Sequence, residues 1–374
     1  MCPAHVVGWG KYVPERVLTN DELSEMVDTS DEWIRTRTGI AERHIADEGE
    51  STSSMATRAA WRALKAAGLG PSQVDLIIVA TATPDHVFPA TACLVQDALG
   101  ASNAAAFDLS AGCTGFVYAL GVAADMVEAR DGAGKTVTAL VIGAETLSRI
   151  MDWTDRSTCV LFGDGAGAVV LQANGSPGGV LSTFLGADGS GGDLLYVPAG
   201  GSEEPASHRT VSQRLHYVRM RGREVFRFAV RAMPDAAQRV LEQAGLTPDD
   251  VDLLVPHQAN QRILEAAGRA LNLPPEKMYS NLERYGNTSA ASIPIALCEA
   301  AEEGRIHRDD VVLCVGFGAG LTWGATALRW SVPLPTAPPT AWGKARYRVW
   351  RGYASVRSLI RRFVRWLLSR SVKE

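Results

Sequence analysis

Cys113 lies in the run FDLSAGCTGFVYAL (107–120). Phe107 to Leu109 read as the end of a strand and Ser110 to Gly112 as a tight turn. Thr114 onward reads as a helix with Phe116, Val117 and Leu120 on its apolar face. A thiol at a helix N-terminus meets unpaired N–H groups and the positive end of the macrodipole, so this position is expected to lower its pKa. A free cysteine titrates at about 8.5 and is only a few per cent thiolate at neutral pH, so such help matters to a nucleophile. The same pattern also fits a small cysteine buried in a turn.

Two further side chains stand at comparable junctions. His257 follows the apolar run Val251 to Val255 through Pro256, and functional groups of layered α/β proteins gather at the carboxyl ends of strands. Gln258, Asn260 and Gln261 make its segment rich in amides; a histidine capped by its neighbours at a helix start is the plainer alternative. Asn287 lies in YGNTSAASIP (285–294), a turn of small residues opening a helix, where it is either a functional amide or a helix cap. Its NTS triplet matches a glycosylation pattern that a cytosolic protein would not use. The loop GFGAGLTWG (316–324) has four glycines in nine residues, which allows either close approach of backbone N–H groups to a ligand or a tight structural turn.

Other motifs carry less. GDGAGA (163–168) fits a relaxed dinucleotide fingerprint and GAGKT (132–136) suggests a phosphate loop, yet a strand-like run follows each where a helix is required. No cysteine pair has CxxC spacing, and no His/Cys cluster has zinc-ligand spacing, so no metal site is expected.

These residues need elements to hold them, and the chain repeats itself to supply them. LKAAGLGPSQVDLII (64–78) and LEQAGLTPDDVDLLV (241–255) are identical at eight of fifteen positions without a gap. VTALVIG (137–143) and VVLCVGF (311–317) echo one another at nearly the same offset. Each copy reads as a helix closed by a C-cap glycine, Gly68 or Gly245, then a proline turn and a fully apolar strand. Strands alternating with helices indicate an α/β protein of two pseudo-symmetric halves, 1–178 and 179–330. Ser331 to Ala341 holds four prolines and reads as an extended linker. Within 342–374, Val356, Leu359, Ile360, Phe363 and Leu367 recur at helical spacing among arginines, which predicts a basic amphipathic helix.

Composition narrows the class. The 374 residues hold 37 basic and 41 acidic side chains, of which ten basic and one acidic fall in 342–374; the tail is +9 and the remainder, with 27 and 40, is −13. An acidic body argues against nucleic-acid binding. Six scattered cysteines, no secretory signal and no apolar run long enough to span a bilayer point to the cytoplasm.

Taken together, DEWIRTRTGI (31–40), AGCTGF (111–116), GDGAGA (163–168), EVFRFAV (224–230), HQANQRI (257–263), YGNTSAASIP (285–294) and GFGAGLTWG (316–324) resemble β-ketoacyl-acyl-carrier-protein synthase III, the initiating condensing enzyme of bacterial type II fatty acid synthesis. The resemblance covers about residues 4–330. It implies the thiolase-like fold, with two βαβαβ-type halves stacked in a five-layer α-β-α-β-α sandwich, usually as a homodimer. It implies Cys113 as the acylated nucleophile, with His257 and Asn287 as donors to the malonyl thioester oxygen and Gly318, Ala319 and Gly320 near the oxyanion. Trp33 and Arg37 match an adenine-stacking pair, with Thr29 and Arg156 also at coenzyme A positions. Arg262, Arg223 and Arg227, with the segment Gln258, Ala259, Asn260, Gln261 and Arg262, match carrier-protein contacts, and Phe88 a residue reaching the partner's acyl pocket. The implied substrates are acyl-CoA and malonyl-acyl-carrier protein, with no further cofactor. The intact Cys/His/Asn set also fits a relative priming a polyketide or other secondary metabolite. A catalytically silent partner would be marked by a lost nucleophile, and thiolase proper by a second cysteine in 316–324; neither mark is present. The family stops near Trp330, so the linker and basic helix are additions. Docking on an anionic membrane surface or on acidic carrier protein is the expectation for them, against packing on the protein's own dimer.

Overall fold

A computed structural model describes residues 2–134, 136–332, 356–361, 363–364 and 366. The expected linker, apart from Ser331 and Val332, and residues 342–355 lie outside the described residues.

Nine strands make two main sheets. The first contains β1 (Ala4–Tyr12), β2 (Leu76–Ala80), β3 (Ala105–Leu109), β4 (Thr138–Glu145) and β5 (Gly165–Ala173), in the order β1-β5-β4-β2-β3. The second contains β6 (Gly179–Ala187), β7 (Leu253–Pro256), β8 (Val311–Gly318) and β9 (Thr322–Arg329), in the order β7-β8-β9-β6. Within the first sheet β2 runs parallel to both β3 and β4, while β5 is antiparallel to β4 and β1. The second repeats this scheme: β7 and β8 are parallel, and β9 is antiparallel to β8 and β6. A lone parallel bridge between Leu254 and Met278 takes the place that β3 holds in the first sheet. The central strands β2, β4 and β8 are buried along their whole length, which is why they read as unbroken apolar runs.

Seven helices frame these sheets: α1 (Asp31–Thr38), α2 (Thr52–Ala67), α3 (Thr91–Leu99), α4 (Gly115–Asp131), α5 (Gly222–Gln243), α6 (Gln261–Ala270) and α7 (Ser292–Glu302). Helix α2 begins at the reciprocal Ser51/Ser54 cap, ends at left-handed Gly68, and lays an alanine face on the first sheet. Helix α5 and its neighbour α6 cover the outer face of the second sheet. Between the sheets lie α4 and α7, each touching strands of both, so the layers run helix, sheet, helix, sheet, helix. A helix enclosed this way is apolar all round. Phe116, Val117, Leu120, Ala123 and Val127 of α4 are therefore fully buried on several faces.

Both inner helices start with a short 3-10 turn, Gly112–Thr114 before α4 and Ser289–Ala291 before α7. The two turns pack against one another at the middle of the molecule. The pseudo-symmetry of the chain thus becomes one shared spot where two helix N-termini face each other. Replacing Phe116, wholly buried in the first turn after Cys113, by Ala is expected to cost about 3–5 kcal/mol. The loss is read as a lower urea midpoint at unchanged slope.

Candidate active site

Cys113 is buried in the first of these turns, with 7% of its surface exposed. Two glycines let the surrounding loops close on it. A Cβ on Gly318 would stand 2.5 Å from the Cys113 nitrogen, and one on Gly112, whose φ is +53°, would stand 2.8 Å from the Ala319 nitrogen. The glycine loop after β8 and the cysteine turn therefore pass at backbone contact. That gathers the N–H groups of Cys113 and Ala319 into one place, as a site that holds an oxyanion requires.

The second turn organises the rest. Asn287 Oδ1 accepts from the Ser289 N–H at 2.8 Å, which commits the amide oxygen and presents Nδ2 as the donor. The Ser289 hydroxyl donates to Glu145 Oε1 at 3.0 Å, and Ser289 lines the same cavity as Cys113. Ser292 Oγ lies 2.6 Å from His257 Nδ1 and accepts from the Gln258 N–H at 3.4 Å. Among the described residues Nδ1 is the acceptor within reach of the Ser292 proton, which assigns that proton to the Ser292–Nδ1 bond and the ring proton of His257 to Nε2. Nε2 is buried and has no protein partner among the described residues. Segment 287–292 thus carries Asn287, packs against the cysteine turn and holds His257 Nδ1.

Burial sets the charges. It pushes the Cys113 thiol up to about 12; the Ser289 hydroxyl pulls it down and the Glu145 charge pushes it further up. The helix-terminus lowering expected from sequence is thereby corrected: removing the sulfur from water outweighs the oriented N–H groups. Burial alone lowers His257 to about 3, so the imidazole is neutral. Burial also raises Glu145 to about 7, against hydrogen bonds from Thr83, the Ala82 N–H and Ser289. Glu145, Ser289 and Ser292 gave no signal in the sequence beyond standing in apolar or small-residue runs.

From Cys113 an apolar cavity of about 230 Å3 opens, lined among others by Leu147, Ile150, Phe162, Leu195, Val197 and Val218. It draws on both halves, and Leu195 comes from a short strand, Leu195–Tyr196, that pairs with Arg219–Met220 and that sequence patterning did not reveal. A second group lies on α1 and the short helix Arg156–Cys159. Here the Arg156 guanidinium sits 4.9 Å over the Trp33 ring. Arg37, one turn along α1 from Trp33, has an exposed side chain, and its carbonyl accepts from Asn260 Nδ2. The Thr29 hydroxyl is buried and unpartnered among the described residues.

A third group is basic. Arg223, Arg227 and Arg262 surround one hollow with Phe226, and Arg262 lies 5.4 Å over the Phe226 ring. The remainder of the 258–262 segment does other work. Gln258 is buried and ties Pro256, Tyr279, Ser280 and Asn281 together, Ala259 is buried, and Asn260 caps α6. Of that segment, Arg262 is exposed, with Gln261 partly exposed beside it. Phe88 stands apart, 84% exposed, with Val87 at 90%. GDGAGA is structural: Asp164 accepts from the Ala46 and Ser148 N–H groups, and Gly165 starts β5.

Above about pH 7, where Glu145 is ionised, its charge raises Cys113. Glu145→Gln removes that charge, so the pH profile of Cys113 alkylation by iodoacetamide should move to lower pH. Below about pH 7, where Glu145 is already neutral, the two proteins should converge. Coincident profiles throughout would refute the coupling.

The family descriptions "3-Oxoacyl-[acyl-carrier-protein (ACP)] synthase III" and its "C terminal" counterpart match residues 107–189 and 241–330. A β-ketoacyl-acyl-carrier-protein synthase III of Caldanaerobacter subterraneus is 58% identical over 88% of this chain and 98% of its own length. One of Symbiobacterium thermophilum is 59% identical over the same shares. Among solved structures, 3-oxoacyl-acyl-carrier-protein synthase III of Aquifex aeolicus is 51% identical with a TM-score of 0.79, covering 87% of this chain and all of that one. The priming β-ketosynthase of the R1128 polyketide pathway is 37% identical with a TM-score of 0.81, covering 89% of this chain and 97% of that one.

Proposed function

We propose, from the premise that this chain belongs to the 3-oxoacyl-acyl-carrier-protein synthase III family and performs the initiating condensation of fatty acid synthesis, that Cys113, His257 and Asn287 do the chemistry. The observation that carries this reading is the segment 287–292, which packs on the cysteine turn, holds the imidazole and bears the carboxamide.

In the first half-reaction the Cys113 sulfur attacks the carbonyl of an acyl-CoA. A C–S bond forms to Cys113, the bond to coenzyme A breaks, and the thiol proton leaves with the coenzyme A sulfur. The acyl chain takes the apolar cavity beside Cys113, while Trp33, Arg156, Thr29 and Arg37 contact the coenzyme. In the second, the malonyl thioester loses CO2 and its carbonyl oxygen takes up negative charge. His257 Nε2–H and Asn287 Nδ2–H donate to that oxygen, as neutral preorganised donors in a dry site. The carbanion then attacks acyl-Cys113, and N–H groups of Cys113 and of the Gly318, Ala319, Gly320 loop receive the tetrahedral oxyanion. Its collapse gives the 3-oxoacyl product and a Cys113 thiolate, which takes up one proton from solvent. These steps run on side chains and two thioesters without a bound cofactor.

Arg223, Arg227 and Arg262 offer three exposed cations to an acidic carrier protein, the partner that delivers the malonyl group. A homodimer is supported by β3, an edge strand with Phe107 exposed, beside the exposed Val87 and Phe88. A reducing cytoplasm is supported by six unpaired cysteines. The division into halves at 178/179 is kept as a proposal resting on the repeat. A polyketide-priming role rests on the 37% relative alone and is the weaker reading.

His257→Ala removes a donor used in decarboxylation and not in acylation. It should cut malonyl-carrier decarboxylation by about 10²–10³-fold while acetyl transfer from acetyl-CoA to Cys113 persists. Because His257 titrates near 3, decarboxylation by the native enzyme should show no histidine limb between about pH 5 and 8. Equal loss of both half-reactions would reject the assignment.

A further inference from the structure

The helix that contains residues 356–361, 363–364 and 366 faces the opposite way from a helix packed on its own protein. At 100° per residue, Val356, Leu359, Ile360, Phe363, Val364 and Trp366 occupy one arc of about 160°, with Arg357, Ser358 and Arg361 outside it. It is the polar side that meets the body. The Ser358 hydroxyl donates to Asp97 Oδ2 at 2.6 Å, and Arg357, Ser358 and Arg361 adjoin Gln96, Asp97, Gly100 and Ser102 at the end of α3. The six apolar side chains face away, each between 44% and 66% exposed. The Phe363 and Trp366 rings stack at 5.8 Å with 23° between their planes.

We infer that this face docks the protein on an anionic lipid surface. An apolar arc of large aliphatic and aromatic residues bordered by arginines is the signature of a helix lying in the headgroup region. Here the body has taken the polar side, so the apolar side points where a membrane would be. Charge selects the occupant. Residues 342–374 carry a net +9 in one short segment, a like-charge cluster that anionic headgroups relieve, while the remaining −13 repels them. Those opposed signs also set orientation, because only the extension is attracted and the acidic body is held off. Phe363 and Trp366 enter the acyl boundary, and the net positive charge of 342–374 supplies the attraction to phosphates. Among the described residues no helix is long and apolar enough to cross a membrane, so the contact is peripheral. The inference does not depend on the catalytic reading, since lipid binding needs no turnover.

The test is flotation of the full-length protein with phosphatidylcholine vesicles, with and without phosphatidylglycerol. Binding is expected to vesicles containing phosphatidylglycerol and to weaken as salt is added. Leu359→Asp with Phe363→Asp should lower that binding by about tenfold or more. Condensation of soluble acyl-CoA with malonyl-carrier protein should stay within about twofold in the variant, the substitutions being surface ones. Ile360→Asp repeats the test at another exposed position. Three results would overturn the proposal. One is absence of binding by the native protein. Another is equal binding by the variants. The third is a variant whose mass by light scattering falls or whose carrier-protein affinity drops, which would mean that a second copy or the carrier covers this face.

Discussion

One turn of chain, from Asn287 to Ser292, has to satisfy three neighbours at once. Its first residue carries the carboxamide, with the oxygen tied to the Ser289 N–H. Ser289 donates to Glu145 beside Cys113, and Ser292 holds His257 Nδ1. These contacts join the ends of β4, β7, α4 and α7, drawn from both halves of the chain. Shifting the register of α7 by one residue would break all of them together. The two sheets and two inner helices can be seen as the frame that keeps this turn against the cysteine turn. The small residues at 110–112 and 288–291 are what let the two approach.

The electrostatics follow from that enclosure. Burial is the leading cause of the shift at Cys113, His257 and Glu145, and in each case it favours the neutral form. A site of neutral donors suits a reaction in which charge appears on the substrate and then moves. An imidazolium would hold a resting carboxylate as firmly as the enolate, whereas a neutral Nε2–H strengthens its bond most when the thioester oxygen becomes anionic. The same logic explains a cysteine that is not a resting thiolate. Its proton departs as the leaving coenzyme A sulfur takes one up.

How much was legible in sequence varied with what each feature depends on. The repeat of 64–78 in 241–255 records helix, cap and strand together, and Gly68 and Gly245 indeed adopt left-handed conformations at the ends of α2 and α5. Local chemistry marked Cys113, His257 and Asn287 as candidates and left a bland alternative beside each; the resemblance supplied their roles. What failed were features decided by packing. The cysteine pKa turned on burial, which a local helix-terminus argument omits. Trp33 lies under the Arg156 guanidinium, a contact between residues distant in sequence that no local pattern marks. Gln258 and Ala259 lie in a matching motif yet are buried, because the start of α6 docks on 279–281. The terminal helix was legible as amphipathic, but which side it turns to the body depends on Asp97, which is far away in the chain.

The central claim is that the buried sulfur, framed by 287–292, is the atom that takes the acyl group. Peptide mass spectrometry after brief mixing of the protein with acetyl-CoA, in the absence of any malonyl donor, tests it most directly. The account predicts one acetyl group, on the peptide that contains Cys113. An unmodified Cys113 peptide, or an acetyl group carried instead by the exposed Cys93, would contradict it.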